Sequence, residues 1–250
     1  MNKKSLAKAG KQNIEKLLFR LRKSLTEKHL DPERDSVLMS WATYSPWQLD
    51  HDFAHCHARI RDYTLVDLYR CWELWHLLAQ TRHLEGDVIE VGTWRGGTGC
   101  LLGRRAKLLG LPVTVFLCDT FEGVVKTGAA DMYQGGEHAD TSLRTVEECA
   151  AGLGVDNLRI LRGIFPEDTG GEVADRVFRL CHIDVDVYQS GKDVLEWVWP
   201  RLAVGGIVVF DDFGFSSTRG IATLVHETED AADRVCVQNL NGHAVFVKAR

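Results

Sequence analysis

Most of the features that would classify this 250-residue chain at once are missing. No stretch approaches the roughly 20 apolar residues that span a bilayer, so no membrane span is expected. Seven cysteines (56, 71, 100, 118, 149, 181 and 236) are scattered, with no CxxC and no metal-ligand spacing. That excludes a zinc ribbon or disulfide framework and reads as reduced, buried thiols. The N-terminal stretch is basic but has no continuous apolar core and no small-residue cleavage site, so the expected location is the cytoplasm. Internal repeats and low-complexity segments are absent. A net charge of −5 and a pI near 6.1 argue against a protein whose whole surface binds nucleic acid.

What is present is an ordinary globular composition, 45% hydrophobic and 26% charged, long enough for one large domain with an appendage. Residues 1–24 carry eight Lys or Arg against one acid, Glu15. Ile14, Leu17, Leu18, Leu21 and Leu25 recur at helical spacing. This basic amphipathic stripe is expected to dock on a partner subunit or over the site rather than on a membrane, and a homo-oligomer is expected. Residues 31–63 are aromatic-rich, and Trp41, Tyr44, Trp47 and Phe53 would wall an acceptor or, as favoured here, anchor the segment to the core. "TLVDLYRCWELWHLLAQT" (64–81) predicts a helix with Thr64 as N-cap and Asp67 at its third position.

From Gly86 the pattern alternates. Strands are predicted at 87–92, 113–119, 158–163, 177–184 and 206–212, with helices near 98–110, 141–153, 190–201 and 219–231. Strands separated by helices imply a parallel sheet covered on both faces. Two closing segments, "RVCVQNL" and "HAVFVKA", would form an antiparallel hairpin through Asn241-Gly242. The expected fold is α/β, a Rossmann-like doubly wound and mostly parallel sheet with a C-terminal antiparallel strand and an N-terminal helical extension.

"EVGTWRGGTG" places Glu90, Gly92, Gly96 and Gly97 at the end of the first strand and in the turn after it. No Lys follows, so this is not a phosphate-binding P-loop, and GxxxGG departs from GxGxxG. Asp119 closes the second strand, where an acid can hold both hydroxyls of a ribose. Glu90 beside the turn disfavours a pyrophosphate and favours a cationic ligand such as S-adenosylmethionine. Paired carboxylates then end two further strands: Asp184 and Asp186 in "HIDVDVYQS", Asp211 and Asp212 in "GGIVVFDDFG". In open α/β sheets ligands bind outside the carboxyl ends of strands. Two converging pairs need a positive charge among them, and oxygen donors suit a hard cation. Asp186 shares the face of Asp184 if the strand persists, or else caps the next helix. His182 reads as a satisfied core histidine. His226 faces the cleft or lies on the surface, and His138 sits in a glycine-rich loop. Trp197 and Trp199 read as core packing.

The four motifs E-x-G-x-x-x-G, "DTFEG", "HIDVDVYQS" and "GGIVVFDDFG", in that order over residues 64–248, resemble the macrocin O-methyltransferase (TylF/MycF-like) family. The resemblance implies a class I S-adenosylmethionine-dependent methyltransferase domain at 64–250, with a 1–63 extension as lid or dimerisation segment. It implies Mg2+ or another divalent cation at Asp184, Asp211 and Asp212. It extends the cofactor-binding set from Glu90, Gly92, Gly96, Gly97 and Asp119 to Thr93, Phe121, Gly163, Phe165 and Asp184. Asp184, Asp186 or His226 would be the base. The expected acceptor is a small hydroxylated molecule, a sugar moiety of a natural product or glycoconjugate. A catechol acceptor and a non-catalytic S-adenosylmethionine or nucleotide binder are the alternatives; intact ligands at the aspartates argue against the latter.

Overall fold

A computed structural model describes residues 16–17, 20–21, 30–31, 33–38, 42–129 and 131–250. The chain divides into two compact units, Met1–Tyr44 and Ser45–Arg250. In the first, Leu17 and Leu21 are helical and exposed, whereas Ile14, Leu18, Leu25 and Trp41 lie outside the described residues. Residues 45–63 belong to the same compact unit as the sheet.

Seven strands run in the order β3-β2-β1-β4-β5-β7-β6: β1 (Asp87–Val91), β2 (Val115–Asp119), β3 (Leu158–Arg162), β4 (Phe178–Ile183), β5 (Leu202–Phe210), β6 (Arg234–Gln238) and β7 (Ala244–Lys248). The first five are parallel, and β7 is antiparallel to both β5 and β6. This is the Rossmann-like doubly wound sheet that the alternating pattern predicts, and the closing hairpin is present. The strand order reverses between β1 and β4, the topological switch point at which such sheets bind ligands.

Period-two alternation sorts each strand between two cores. One face buries Ile89, Val91, Phe116, Cys181, Ile183, Val208 and Phe210 against helices α5 (Tyr188–Val198) and α6 (Arg219–Thr228). The other buries Val88, Leu117, Leu180, Ile207 and Val209 against α2 (Leu68–Gln80), α3 (Gly97–Leu108) and α4 (Leu143–Leu153). By the same parity Glu90, His182 and Asp211 point to the α2 side. A third cluster seats α1 (His51–Ile60) on this helical layer through Phe53, Cys56 and Ile60. Phe53 stacks edge-on with Trp72 and Trp75, and Trp47 with Tyr69, so both aromatics anchor the segment. Trp197 packs on Phe165, and Trp199 is buried with its indole N–H on Asp233. The seven cysteines are unpaired, and six are buried.

One start signal differs from its expectation. Helix α2 begins at Leu68, and its N-cap is Asp67, which accepts from the backbone N–H groups of Tyr69 (2.8 Å) and Arg70 (3.2 Å). Thr64 instead closes a local turn by accepting from Val66 N–H. A carboxylate satisfies two orphan donors at once, so it wins the cap from a hydroxyl three residues earlier.

Gly92 fixes how closely β1 and β4 end. Its φ is +90°, and a Cβ there would lie 1.6 Å from the Asp184 carbonyl oxygen. Gly110, at φ +66°, has open space around its Cβ position. Gly92→Ala is expected to cost at least about 3 kcal/mol, because backbone must move. Gly110→Ala should cost about 1 kcal/mol, from φ alone. Urea unfolding of the two variants checks this; equal losses would mean that the close approach relaxes freely.

Candidate active site

The carboxyl ends of the parallel strands open on one cavity of about 290 Å³. The β1 turn contributes Gly92 and Thr93, and β2 contributes Asp119. The segment after β3 adds Gly163 and Phe165, that after β4 adds Asp184 and Asp186, and that after β5 adds Asp211 and Asp212. The other predicted residues lie elsewhere. Glu90 is fully buried behind the wall, and Phe121 packs on the α2-side core. A Cβ on Gly96 would meet Val146, and one on Gly97 the Tyr63 carbonyl, so helix packing already requires glycine at both. His226 is exposed, with Nδ1 2.9 Å from a Glu229 oxygen, and does not line the cavity.

Asp119 is held by the turns on either side. Its Oδ2 accepts from Trp94 N–H and its Oδ1 from Phe121 N–H, both at 2.7 Å. Trp94 and Phe121 each adopt a left-handed backbone to aim those donors. Burial raises the Asp119 pKa from its ordinary value, and the backbone donors partly offset this. The carboxylate's roughly four lone-pair sites exceed its backbone donors, which leaves room for a further one.

Parity and register bring Glu90 opposite His182 on adjacent strands. His182 Nδ1 lies 3.0 Å from Glu90 Oε1, and its Nε2 lies 3.3 Å from Asp211 Oδ1. His243, in the turn before β7, repeats the arrangement: Nε2 lies 2.9 Å from Asp211 Oδ1 and Nδ1 2.5 Å from Glu73 Oε2 on α2. Both rings are fully buried between two carboxylates, so both nitrogens of each act as donors. Burial alone would push His182 down, but hydrogen bonds to Asp211 and Glu90 outweigh it and raise the imidazole to about 10. His243 is raised against burial in the same way by Asp211 and Glu73. The Arg70 guanidinium, 7% exposed, donates to Asp211 Oδ2 and, through Nε, to Asp67 at 2.9 Å, with Phe215 stacked 4.6 Å away. Burial would raise Asp211, but these donors hold it well below the usual carboxylate range.

Its neighbours are different. Burial and then the charges of Asp211 and Asp212 push Asp184 well above a carboxylate's ordinary value. Burial and then Asp186 and Asp211 do the same to Asp212, whose Oδ2 accepts from Val185 N–H (3.1 Å) and Asp186 N–H (2.8 Å). Oxygens of Asp184, Asp211 and Asp212 lie within 4.8 Å of one another. An all-oxygen donor set that is electrostatically unfavourable by itself fits a hard divalent cation. Asp186 leaves the α5 cap to Val187; its carboxylate, raised by burial, pairs instead with the Tyr133 hydroxyl.

Arg70 and His243 escaped the sequence reading. Arg70 shares the helical face of Leu74 and Leu78, at i, i+4 and i+8. A charge within an apolar stripe was the available signal. Tyr133, His138 and Trp94 also line the cavity.

The family model described as Macrocin-O-methyltransferase (TylF) matches residues 58–247. The chain is 31% identical over 185 residues to mycinamicin III 3''-O-methyltransferase of Micromonospora griseorubida, covering 67% of this chain and 70% of that protein. It is also 31% identical over 145 residues to 8-demethyl-8-(2,3-dimethoxy-alpha-L-rhamnosyl)-tetracenomycin-C 4'-O-methyltransferase of Streptomyces olivaceus. There it covers 54% of this chain and spans about half, 55%, of the relative. Among solved structures, the O-methyltransferase NovP superposes with a TM-score of 0.64 at 23% identity, covering 75% of this chain and 83% of that one. That likeness supports the fold. Among the described residues no helix is long and apolar enough to cross a membrane.

The His182 bridges have a consequence for stability. A histidine raised from 6.5 to about 10 on folding contributes stability that is fully present below its unfolded pKa. That contribution is lost as pH rises through the folded value. Urea midpoints should therefore fall between pH 6.5 and pH 10, and less steeply in His182→Gln. A wild-type midpoint that stays flat across this window would contradict the doubly bridged imidazole.

Proposed function

The chain belongs to the macrocin O-methyltransferase family, and on that premise we propose that it transfers a methyl group from S-adenosylmethionine to a hydroxyl of a small acceptor. The acceptor class is a sugar moiety of a natural product or glycoconjugate; the name of the Streptomyces olivaceus relative carries a rhamnosyl group, and both relatives are named as O-methyltransferases. A divalent cation, magnesium, belongs at Asp184, Asp211 and Asp212. One observation carries the reading: three carboxylates gather within 4.8 Å on the wall of the same cavity that Asp119 enters from β2.

In this reading Asp119 accepts from the ribose hydroxyls with the acceptor capacity that its backbone donors leave. Gly92 and Thr93 bring backbone close to the methyl donor. The anionic rim at Asp184, Asp186 and Asp212 faces the sulfonium. When bound, the cation supplies Lewis acidity that lowers the pKa of an acceptor hydroxyl, and it fixes the hydroxyl's position. Asp184, half-buried at the cavity wall, receives the proton as the acceptor oxygen forms its bond to the methyl carbon. The electrons of the broken C–S bond stay on sulfur, which leaves as a neutral thioether. Alignment for this in-line displacement contributes most of the rate.

Asp211→Asn should lower turnover by orders of magnitude while S-adenosylhomocysteine affinity stays within about twofold, because the donor is held mainly by the β1 and β2 ends. Asp119→Ala should weaken donor binding at least about tenfold, for loss of charge-assisted hydrogen bonds. EDTA should abolish activity towards sugar-hydroxyl acceptors, and magnesium should restore it. Full turnover by metal-free enzyme would remove the cation from this scheme, and unchanged donor affinity in Asp119→Ala would remove the ribose assignment.

A further inference from the structure

We propose that His182 and His243 are positioning residues that lock Asp211 into a single-oxygen ligand; this rests on the metal reading above. A carboxylate offers about four lone-pair sites. At Asp211 three are taken. Oδ1 accepts from His182 Nε2 (3.3 Å) and His243 Nε2 (2.9 Å), and Oδ2 accepts from Arg70. The one remaining site is on Oδ2, the oxygen shared with Arg70, which itself lines the cavity. Bidentate ligation is thereby closed off.

The two rings cannot follow Asp211 if it turns. They stand on different elements, β4 and the turn before β7, edge to face at 6.1 Å. Each is pinned at its far nitrogen, His182 by Glu90 (3.0 Å) and His243 by Glu73 (2.5 Å). Those anchors are themselves held: Glu90 Oε2 accepts from Thr93 at 3.1 Å, and Glu73 Oε2 from Asn239 at 2.5 Å. Rotating the Asp211 carboxylate would break bonds to three elements at once. Partners of this kind, behind a ligating group, typically change metal affinity 10–100-fold when removed.

The test uses the full chain and Mn2+ alone as probe, titrated by electron paramagnetic resonance, with S-adenosylhomocysteine binding followed separately by calorimetry. His243→Ala is expected to weaken Mn2+ binding about tenfold and to leave S-adenosylhomocysteine affinity unchanged. His243→Gln, which keeps an N–H donor, should recover most of the loss, whereas His243→Leu, which fills similar space without a donor, should not. Because His243 is fully buried, Glu73→Ala provides a second route. It removes only the far anchor from a half-buried position, and Mn2+ binding should again weaken while the fold persists. Folded His243→Ala and Glu73→Ala proteins that bind Mn2+ as tightly as wild type would overturn the lock alone. A wild type that binds no Mn2+ would overturn the metal reading and the lock with it.

Discussion

Everything at this site leans on one buried carboxylate. Asp211 is 2% exposed, and an unpaired charge so far from water would cost several kcal/mol. It is tolerated because Arg70 from α2, His182 from β4 and His243 from the turn before β7 all donate to it. Each donor is buried too, and each needs Asp211 as much as Asp211 needs it. The contact that ties α2 to the sheet, and β7 to β4 across β5, is therefore the same contact that aims a cavity carboxylate. Stability and site geometry are one set of bonds, so a variant that loosens the first also blurs the second.

Charge counting explains why this network does not neutralise the cavity. Glu73, Glu90, Asp211 and the more exposed Asp67 face Arg70, His182 and His243, four acids against three bases. Asp184 and Asp212 have no such cation of their own in that set. Burial and mutual repulsion push both upward, and the backbone donors on Asp212 only partly relieve it. The fold thus commits Arg70, His182 and His243 to other carboxylates and leaves the excess negative charge at Asp184 and Asp212 on the cavity side.

How much of this could be read from residues depends on sequence separation. Strand and helix alternation, the closing hairpin and the strand-end aspartates follow from local periodicity, which is why residues 87–248 were legible. Parity along a strand places Glu90, His182 and Asp211 on one face once the strands are drawn. Their neighbourhood depends on the β1-β4-β5 order, which periodicity does not encode. Arg70 and His243 meet Asp211 across 141 and 32 residues, and Glu73 meets His243 across 170. Nothing local marks them beyond polarity in an apolar pattern. The Thr64 cap failed for a different reason: two competent caps stood three residues apart, and the carboxylate won.

Glu90 does not line the cavity and so does not set its charge directly. The place of Glu90 beside the glycine turn predicts a bias against an anionic ligand. In the fold its two oxygens are occupied by Thr93 and by the His182 imidazole, and it is fully buried outside the cavity. A paired charge behind the wall exerts little field on a ligand, because the adjacent imidazole cancels it at distances beyond the pair. The carboxylates that do line the cavity are those of Asp184, Asp186 and Asp212, together with Asp119 and Asp211. Glu90 instead holds Thr93 at the turn and His182 at the strand. In the proposed reading, the preference for a cationic ligand rests on the ends of the fourth and fifth strands rather than the first.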